Sequence, residues 1–203
     1  MALKFNNGKF RILQVSDPQD MHYPRRSMLK MLDKAYDTLK PDLVVFTGDN
    51  VLSNHLLDAR FGNKKVAEGK GATLVRMRKS LAIILEPLQK RNIPFGMIFG
   101  NHDDMCEMTK EEIIDLYREY SCFVGLVDTY GFGDIGTHNI PIYSGDKTAF
   151  NIWMMDTSRV DKALDKGFEG VTTEAVEWYV NKSNELAAEN SGKPVPSLMF
   201  QHI

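Results

Sequence analysis

The sequence predicts an α/β fold in which a mainly parallel β-sheet is flanked by helices. Short apolar runs of strand length alternate along the chain with longer segments whose apolar residues recur at helical spacing. Their order, β-α-β-α-β-α followed by one or two strands, a helix and a last strand, is typical of right-handed crossovers. Several apolar runs also end abruptly at polar residues, as strands do at the carboxyl edge of a parallel sheet.

Composition limits the class of protein. The chain has 203 residues, of which 43% are hydrophobic and 26% charged, so we expect a single domain over residues 1–203. A net charge of −2 gives no indication of a nucleic-acid partner or an anionic membrane. Cys106 and Cys122 are expected as free thiols. The sequence has neither a secretion signal nor an apolar run of the roughly 20 residues that span a membrane, which predicts a cytoplasmic protein.

The first half of the chain predicts three strands and two helices. The strands are expected at residues 10–15, 43–46 and 93–98, and the helices at about residues 25–40 and 72–91. The run Leu43-Val44-Val45-Phe46 is wholly apolar, which indicates a strand covered on both faces. Pro87 is expected to kink or shorten the second helix.

The second half predicts a capped helix, an edge strand, a longer strand, a helix and a last strand. Thr109 and Glu112 form a capping box that starts a helix ending near Tyr120. Residues 139–143 predict an edge strand, because a proline is tolerated there. The later elements are expected at residues 148–155, 172–190 and 196–203, with the inner face of the helix formed by Val176, Tyr179, Val180, Leu186 and Ala187.

Four predicted strands end at side chains that can bind a metal ion, namely Asp17, Asp49, Asn101 with His102, and His202. Each has an ordinary structural role as well, since aspartate and asparagine cap helices and form turns. Their joint placement at one sheet edge is harder to explain in that way. Carboxylate, amide and imidazole groups together suit manganese, iron or zinc, so the pattern favours a metal site.

These motifs resemble those of the calcineurin-like metallophosphoesterases, a family with a binuclear metal centre that includes the purple acid phosphatases. The family pattern is Asp-x-His, Gly-Asp, Gly-Asn-His-Asp/Glu and a histidine that ends a strand. The corresponding segments here are residues 17–19, 48–49, 100–103 and His202. The resemblance spans nearly the whole chain and implies a four-layer α/β/β/α sandwich.

The resemblance also implies which residues hold two divalent ions, Mn, Fe or Zn. Asp17 would belong to the first metal, Asp49 would bridge both, and Asn101 and His202 would belong to the second. Gln19 stands where the family has a histidine, and its amide oxygen is a neutral and weaker ligand than imidazole. Two metals of this kind would hydrolyse phosphate mono- or diesters of a small substrate through an activated hydroxide.

Two further residues receive catalytic roles from the resemblance. His102 would stabilise the transition state or protonate the leaving oxygen, and Asp103 would orient its imidazole from behind.

The sequence departs from the family at two places. A rival alignment takes Asp20-Met21-His22 as the Asp-x-His motif, so either Gln19 or His22 would complete the first metal site. The family pattern ends with a further motif, Gly-His-x-His, which is absent here. Its absence predicts a domain that is incomplete at its C terminus and lacks the last strands of the sandwich. Such a domain would expose an apolar sheet surface through which two copies could associate.

Two other functions are compatible with the sequence. The first is a truncated or degenerate phosphoesterase fold with little activity that acts at most as a metal-binding or ligand-binding module. The second is a nucleotide-binding, flavodoxin-like domain, which the β-α alternation allows. The first strand is not followed by the glycine-rich phosphate loop that the second function needs.

Overall fold

The computed structural model describes residues 2–19, 24–56, 65–125, 135–157, 160–161, 167–168 and 170–202. The strands are β1 (Leu3–Lys4), β2 (Ile12–Val15), β3 (Leu43–Thr47), β4 (Phe95–Ile98), β5 (His138–Ser144), β6 (Lys147–Met155), β7 (Val160–Asp161), β8 (Gly167–Phe168) and β9 (Ser197–Gln201). The helices are α1 (Arg26–Leu39), α2 (Lys70–Arg91), α3 (Lys110–Arg118) and α4 (Thr173–Glu189), with a 3-10 turn at Ser53–His55. The α/β prediction is confirmed, and β1 is a strand that the sequence pattern missed.

The first sheet has the order β2-β3-β4, and all of its strands are parallel. Val15 pairs with Phe46, and Phe46 pairs with Met97, so the three strands end side by side. This register is the reason why the polar residues that follow β2, β3 and β4 arrive at the same edge.

The second sheet has the order β1-β5-β6-β9. Strand β5 runs antiparallel to β6, whereas β9 runs parallel to β6 and brings His202 to the edge where the first sheet also ends. The prediction that residues 139–143 form an edge strand is wrong, because β5 lies between β1 and β6. Pro141 is tolerated there since β1 pairs only with Ile142 and Tyr143 and asks for no N–H from the proline.

The two sheets pack face to face, and helices cover both outer faces. Alternate residues of β3 point in opposite directions, so Val45 packs between the sheets whereas Val44 and Phe46 pack against helices. Helices α1, α2 and α3 contribute to the core on the outer face of the first sheet. On the outer face of the second sheet, α4 places Trp178 against Trp153. The resulting layers are α/β/β/α.

Helix α4 uses only part of the predicted face, including Tyr179 and Leu186, and adds Ala175 and Trp178 to it. Val176 and Val180 are about half exposed, whereas Ala175 and Leu186 are buried. The rings of Trp178 and Tyr179 both contact Trp153, with centroids 5.7 Å and 4.8 Å away. Docking these large aromatic surfaces contributes more than burying two valines.

The other helix predictions have mixed outcomes. The capping box is confirmed, since Glu112 N donates to Thr109 Oγ1 and Thr109 N donates to Glu112 Oε2. Pro87 does not shorten α2, which continues to Arg91. Pro87 has no backbone N–H and so costs the helix one hydrogen bond. Leu88, which is fully buried, anchors the last turn and offsets that loss.

Other sequence-based expectations concern thiols, membranes and self-association. Cys106 and Cys122 are free, as predicted. Within the described ranges, none of the helices combines the length and hydropathy that crossing a membrane requires. Strand β9 lies at a sheet edge and leaves Leu198 and Met199 about half exposed. Association of two copies through this surface stays a prediction.

His138 is expected to make folding sensitive to acid. Burial lowers the pKa of its imidazole from 6.5 to about 4, and Nδ1 lies 2.9 Å from the Gly136 carbonyl, to which it donates. As the pH falls from 6.5 to 4, the unfolded chain binds a proton that the folded chain refuses. The free energy of unfolding therefore decreases with falling pH, by up to about 3 kcal/mol.

The variant His138→Asn tests this prediction, because it keeps an N–H donor but does not titrate. Urea unfolding of both proteins at several pH values should show the parent losing about 3 kcal/mol relative to the variant across this window. Parallel pH curves for the two proteins would rule out His138 as the cause.

Candidate metal centre

The backbone turns sharply where β2 and β3 end. Asp17 and Asp49 both have a φ angle of 53°, in the left-handed region, and Gly48 between β3 and Asp49 has a φ of 94°. For residues other than glycine this conformation costs on the order of 1–3 kcal/mol and is often found at functional sites. Asp17 N donates to Gly48 O at 3.2 Å and Gln19 N to Asp49 O at 3.1 Å, so the two turns run side by side.

Two glycines allow the turns to approach closely. A Cβ atom at Gly48 would lie 2.5 Å from His202 Nδ1, and one at Gly100 would collide with the backbone N and side chain of Asp49. Glycine is therefore required at both positions by packing, and at Gly48 by backbone conformation as well.

The structure brings Asp17, Asp49 and His202 together, since one ligand atom from each lies within 4.8 Å of the others. His202 Nδ1 lies 2.8 Å from the Thr47 carbonyl oxygen, which accepts its proton. In the neutral ring the other nitrogen, Nε2, then carries the lone pair. Nε2 faces Asn101 Oδ1 at 3.2 Å and Asp49 Oδ1 at 3.5 Å. Three groups that can offer lone pairs thus converge, an arrangement that a cation satisfies.

Gln19 joins this cluster through its side-chain amide. Its Nε2 donates to Asp49 Oδ2 at 2.9 Å. Its Oε1 is buried and has no hydrogen-bond partner among the residues that the structure describes. An orphaned buried oxygen is costly unless an ion or water pairs with it, so Gln19 fits a metal centre. The rival motif of Asp20 to His22 lies outside the described residues.

His102 lies beside the cluster and is held mainly by its backbone. Its N–H donates to Asp49 Oδ1 at 2.9 Å, and its ring Nε2 is 3.9 Å from Asp49 Oδ2. The ring is 34% exposed, which leaves it accessible to a bound molecule. Its Nδ1 has no partner within the described part of the chain.

Asp103 does not orient the His102 ring as expected, because ring atom Nδ1 has no hydrogen-bond partner within the described residues. Its carboxylate accepts from the backbone N–H groups of Gly100 at 2.7 Å and of Asn50 and Val51 at 2.9 Å. These bonds engage both carboxylate oxygens with backbone. Burial, the largest influence, raises the pKa of Asp103 to about 7. Asp103 therefore links the loop that follows β3 to the loop that follows β4.

Sequence reasoning missed two residues that complete this framework. Ser53 donates to the His102 carbonyl oxygen from both its N–H, at 3.1 Å, and its Oγ, at 2.7 Å. Asn50 donates through Nδ2 to Ile98 O at 3.0 Å. Only the position of Asn50 directly after Gly48-Asp49 could have indicated its role, and nothing local singles out Ser53.

The fold and the cluster define an α/β/β/α protein whose strand ends present carboxylate, amide and imidazole groups at one edge. The family model described as calcineurin-like phosphoesterase matches residues 10–195. The chain belongs to the calcineurin-like phosphoesterase family, as the resemblance predicted.

Three relatives illustrate the range of this similarity. The chain is 27% identical over 240 residues to "Probable inactive purple acid phosphatase 14" of Arabidopsis thaliana, a match that covers 99% of the chain and 55% of the relative. It is 23% identical over 235 residues to "Probable inactive purple acid phosphatase 29" of the same plant, covering 99% and 56%. It is 28% identical over 166 residues to "Phosphatase DCR2" of Saccharomyces cerevisiae, covering 70% and 25%. The chain thus spans about half the length of the two plant relatives.

Proposed function

We propose that the chain is a metal-dependent hydrolase of phosphate mono- or diesters. The observation that carries this proposal is the convergence of His202 Nε2 on Asn101 Oδ1, at 3.2 Å, and on Asp49 Oδ1, at 3.5 Å. Membership in the phosphoesterase family supports the same reaction class. The substrate proposed is a small phosphorylated molecule.

Two ligand sets surround Asp49. Asp17 and the Gln19 amide oxygen would hold one divalent ion with it, and Asn101 and His202 would hold the other. Such ions, Mn, Fe or Zn, lower the pKa of a coordinated water to near neutrality and neutralise phosphate charge. The Thr47 carbonyl keeps the His202 ring turned so that Nε2 faces the centre.

His102 would act on the substrate rather than on the ions. Its backbone is held by Asp49 on one side and by Ser53 on the other, so the ring projects from a rigidly held backbone. A protonated imidazole at this position donates a hydrogen bond to a phosphate oxygen and can give its proton to the leaving group.

Replacing His102 tests the proposal. His102→Ala should lower kcat on a chromogenic phosphate ester by about 10²–10⁴-fold, the usual contribution of one general acid. Its metal content, measured by elemental analysis, should stay at the parent level. His138→Asn serves as the control, since it removes a buried histidine that makes none of the contacts of the centre. A parent-like kcat in His102→Ala would overturn the role assigned to this residue.

A second candidate function is a phosphoesterase-fold protein with little activity that binds a metal or another ligand. The word "inactive" in the names of the two plant relatives and the glutamine at position 19 favour it. Elemental analysis of the purified protein, together with mono- and diester assays in added manganese, separates the two functions. Bound metal without turnover supports the second.

A further inference from the structure

We infer that Lys110 and Asp156 are positioning residues for the proposed metal centre. Their ion pair joins the loop that follows β4 to the end of β6 and holds the two sheets at a fixed separation beside the centre. The inference rests on the proposed function and adds to it two side chains that lie outside the ligand cluster.

The position of Lys110 in α3 is the first step. Lys110 is the first residue of the helix, where the helix dipole favours acidic side chains and disfavours a cation. Glu111 and Glu112, in the same turn, follow that rule. A lysine at this position is therefore locally unfavourable, and a contact elsewhere in the fold has to offset its cost.

The geometry of the ion pair is the second step. Lys110 Nζ lies 2.6 Å from Asp156 Oδ2, and the lysine side chain is 15% exposed whereas the aspartate side chain is fully buried. The same ammonium lies 4.9 Å from the centre of the Phe99 ring, at the first residue after β4. It is thus fixed between the end of β6 and the start of the loop that follows β4. A charge-assisted hydrogen bond is directional, whereas an apolar contact is not.

Asp156 gives this contact a firm anchor in the second sheet. Its backbone N–H donates to Thr137 Oγ1 at 3.0 Å. A Cβ atom at Gly136 would lie 2.5 Å from Asp156 Cβ, so the backbone that leads into β5 packs directly against this residue. If the pair is broken, we therefore expect the loop before Lys110 to move rather than Asp156.

The place of the pair relative to the centre is the third step. Strands β6 and β9 are parallel neighbours, so Asp156 and His202 follow adjacent strand ends of the second sheet. Asn101 lies in the loop that follows β4 of the first sheet, and its Oδ1 is 3.2 Å from His202 Nε2. The ion pair and this contact therefore span the gap between the same loop and the same edge of the second sheet. Loosening the pair changes the distance between two groups of the centre.

Three variants of the full chain test the inference, namely Lys110→Met, Asp156→Asn and the double variant. Breaking a buried ion pair from one side is strongly destabilising, whereas removing both charges is often close to neutral. Urea unfolding in the presence of chelator should therefore rank the double variant above both single variants.

Affinity for Mn²⁺, measured by calorimetry, should follow a different order. None of the three variants has the directional contact, so all three should bind Mn²⁺ about 10–100-fold more weakly than the parent, the usual cost of losing a residue that supports metal ligands. Lys110→Arg keeps a cation and its donors, so it should bind Mn²⁺ more tightly than Lys110→Met. A role in stability alone would make affinity recover together with stability in the double variant.

The matched control is Lys182→Met, because Lys182 pairs with Glu185 at the surface of α4. It should leave both Mn²⁺ affinity and stability at the parent value. Parent-like affinity in the double variant would overturn the inference. Equal affinity of Lys110→Met and Lys110→Arg would overturn it as well.

The outcome is separable from that of the proposed function. A parent that binds Mn²⁺ but hydrolyses no phosphate ester contradicts the proposed function, while the affinities of the variants still decide the inference. Hydrolysis by the parent, together with parent-like Mn²⁺ affinity in the double variant, contradicts the inference alone. A parent that binds no Mn²⁺ overturns both.

Discussion

Replacing Asp49 with asparagine is expected to remove both bound metal and activity. Asp49 is 3% exposed, and His202 Nε2 lies 3.5 Å from one of its oxygens. The substitution keeps the shape of the side chain but removes its charge and replaces one acceptor oxygen by an NH₂ group. That group would also face a donor, either His102 N or Gln19 Nε2. Both cation sites therefore lose their shared ligand in one change.

The expected magnitude is large. Loss of a residue that only supports a metal ligand typically costs 10–100-fold in metal affinity, so loss of the shared ligand should exceed about 100-fold. Phosphoesterase activity should fall by at least about 10³-fold, which is more than the decrease in kcat caused by losing one transition-state hydrogen bond. Metal titration by calorimetry and an ester assay on the same samples measure the two effects.

The matched control is Asp115→Asn, whose carboxylate is exposed on α3 and pairs with Arg118. It should leave metal binding and activity unchanged. Because chelated protein has no metal to lose, unfolding in the presence of chelator shows whether Asp49→Asn still folds. A folded Asp49→Asn variant with parent-like metal content would mean that the centre is not organised around this residue.

Replacing Asp103 with alanine is expected to produce the largest loss of stability. Its carboxylate is the acceptor for three backbone N–H groups, at Gly100, Asn50 and Val51, and all three residues are buried. A buried donor left without a partner costs about 1–3 kcal/mol. Alanine orphans all three, so the free energy of unfolding should fall by about 3–6 kcal/mol, a large share of the 5–15 kcal/mol typical of a domain.

Asp103→Asn provides a graded comparison, because it removes fewer bonds. The asparagine oxygen can still accept from Asn50 N and Val51 N, whereas Gly100 N and the more distant Asn50 Nδ2, 3.4 Å from the replaced oxygen, then face an NH₂ group. We expect a loss of about 1–3 kcal/mol for this variant. Urea unfolding of both variants should rank alanine well below asparagine, with Asp115→Asn at the parent value. Equal stability of Asp103→Ala, Asp103→Asn and Asp115→Asn would show that the hydrogen bonds accepted by Asp103 contribute little.

Much of the fold followed from the sequence because its signals are local. The apolar runs that became β3 and β6 and the capping box at Thr109 can be recognised from neighbouring residues alone. Their order along the chain then required parallel strands with a common edge. The contact of Trp178 in α4 was not predictable in this way, since it depends on Trp153, a residue of a different element.

The sequence by itself determined the fold class and the edge at which Asp17, Asp49, Asn101 and His202 would be found. Only the tertiary structure decided what these side chains do to one another. The ring of His202 is turned by the carbonyl of Thr47, 155 residues earlier in the chain, and Gln19 donates to a carboxylate 30 residues away. Asp103, placed by sequence behind His102, instead serves the backbone of a neighbouring loop. Periodicity specifies which residues are buried and where strands end, but hydrogen-bond partners between distant segments depend on register and packing, which no local pattern contains.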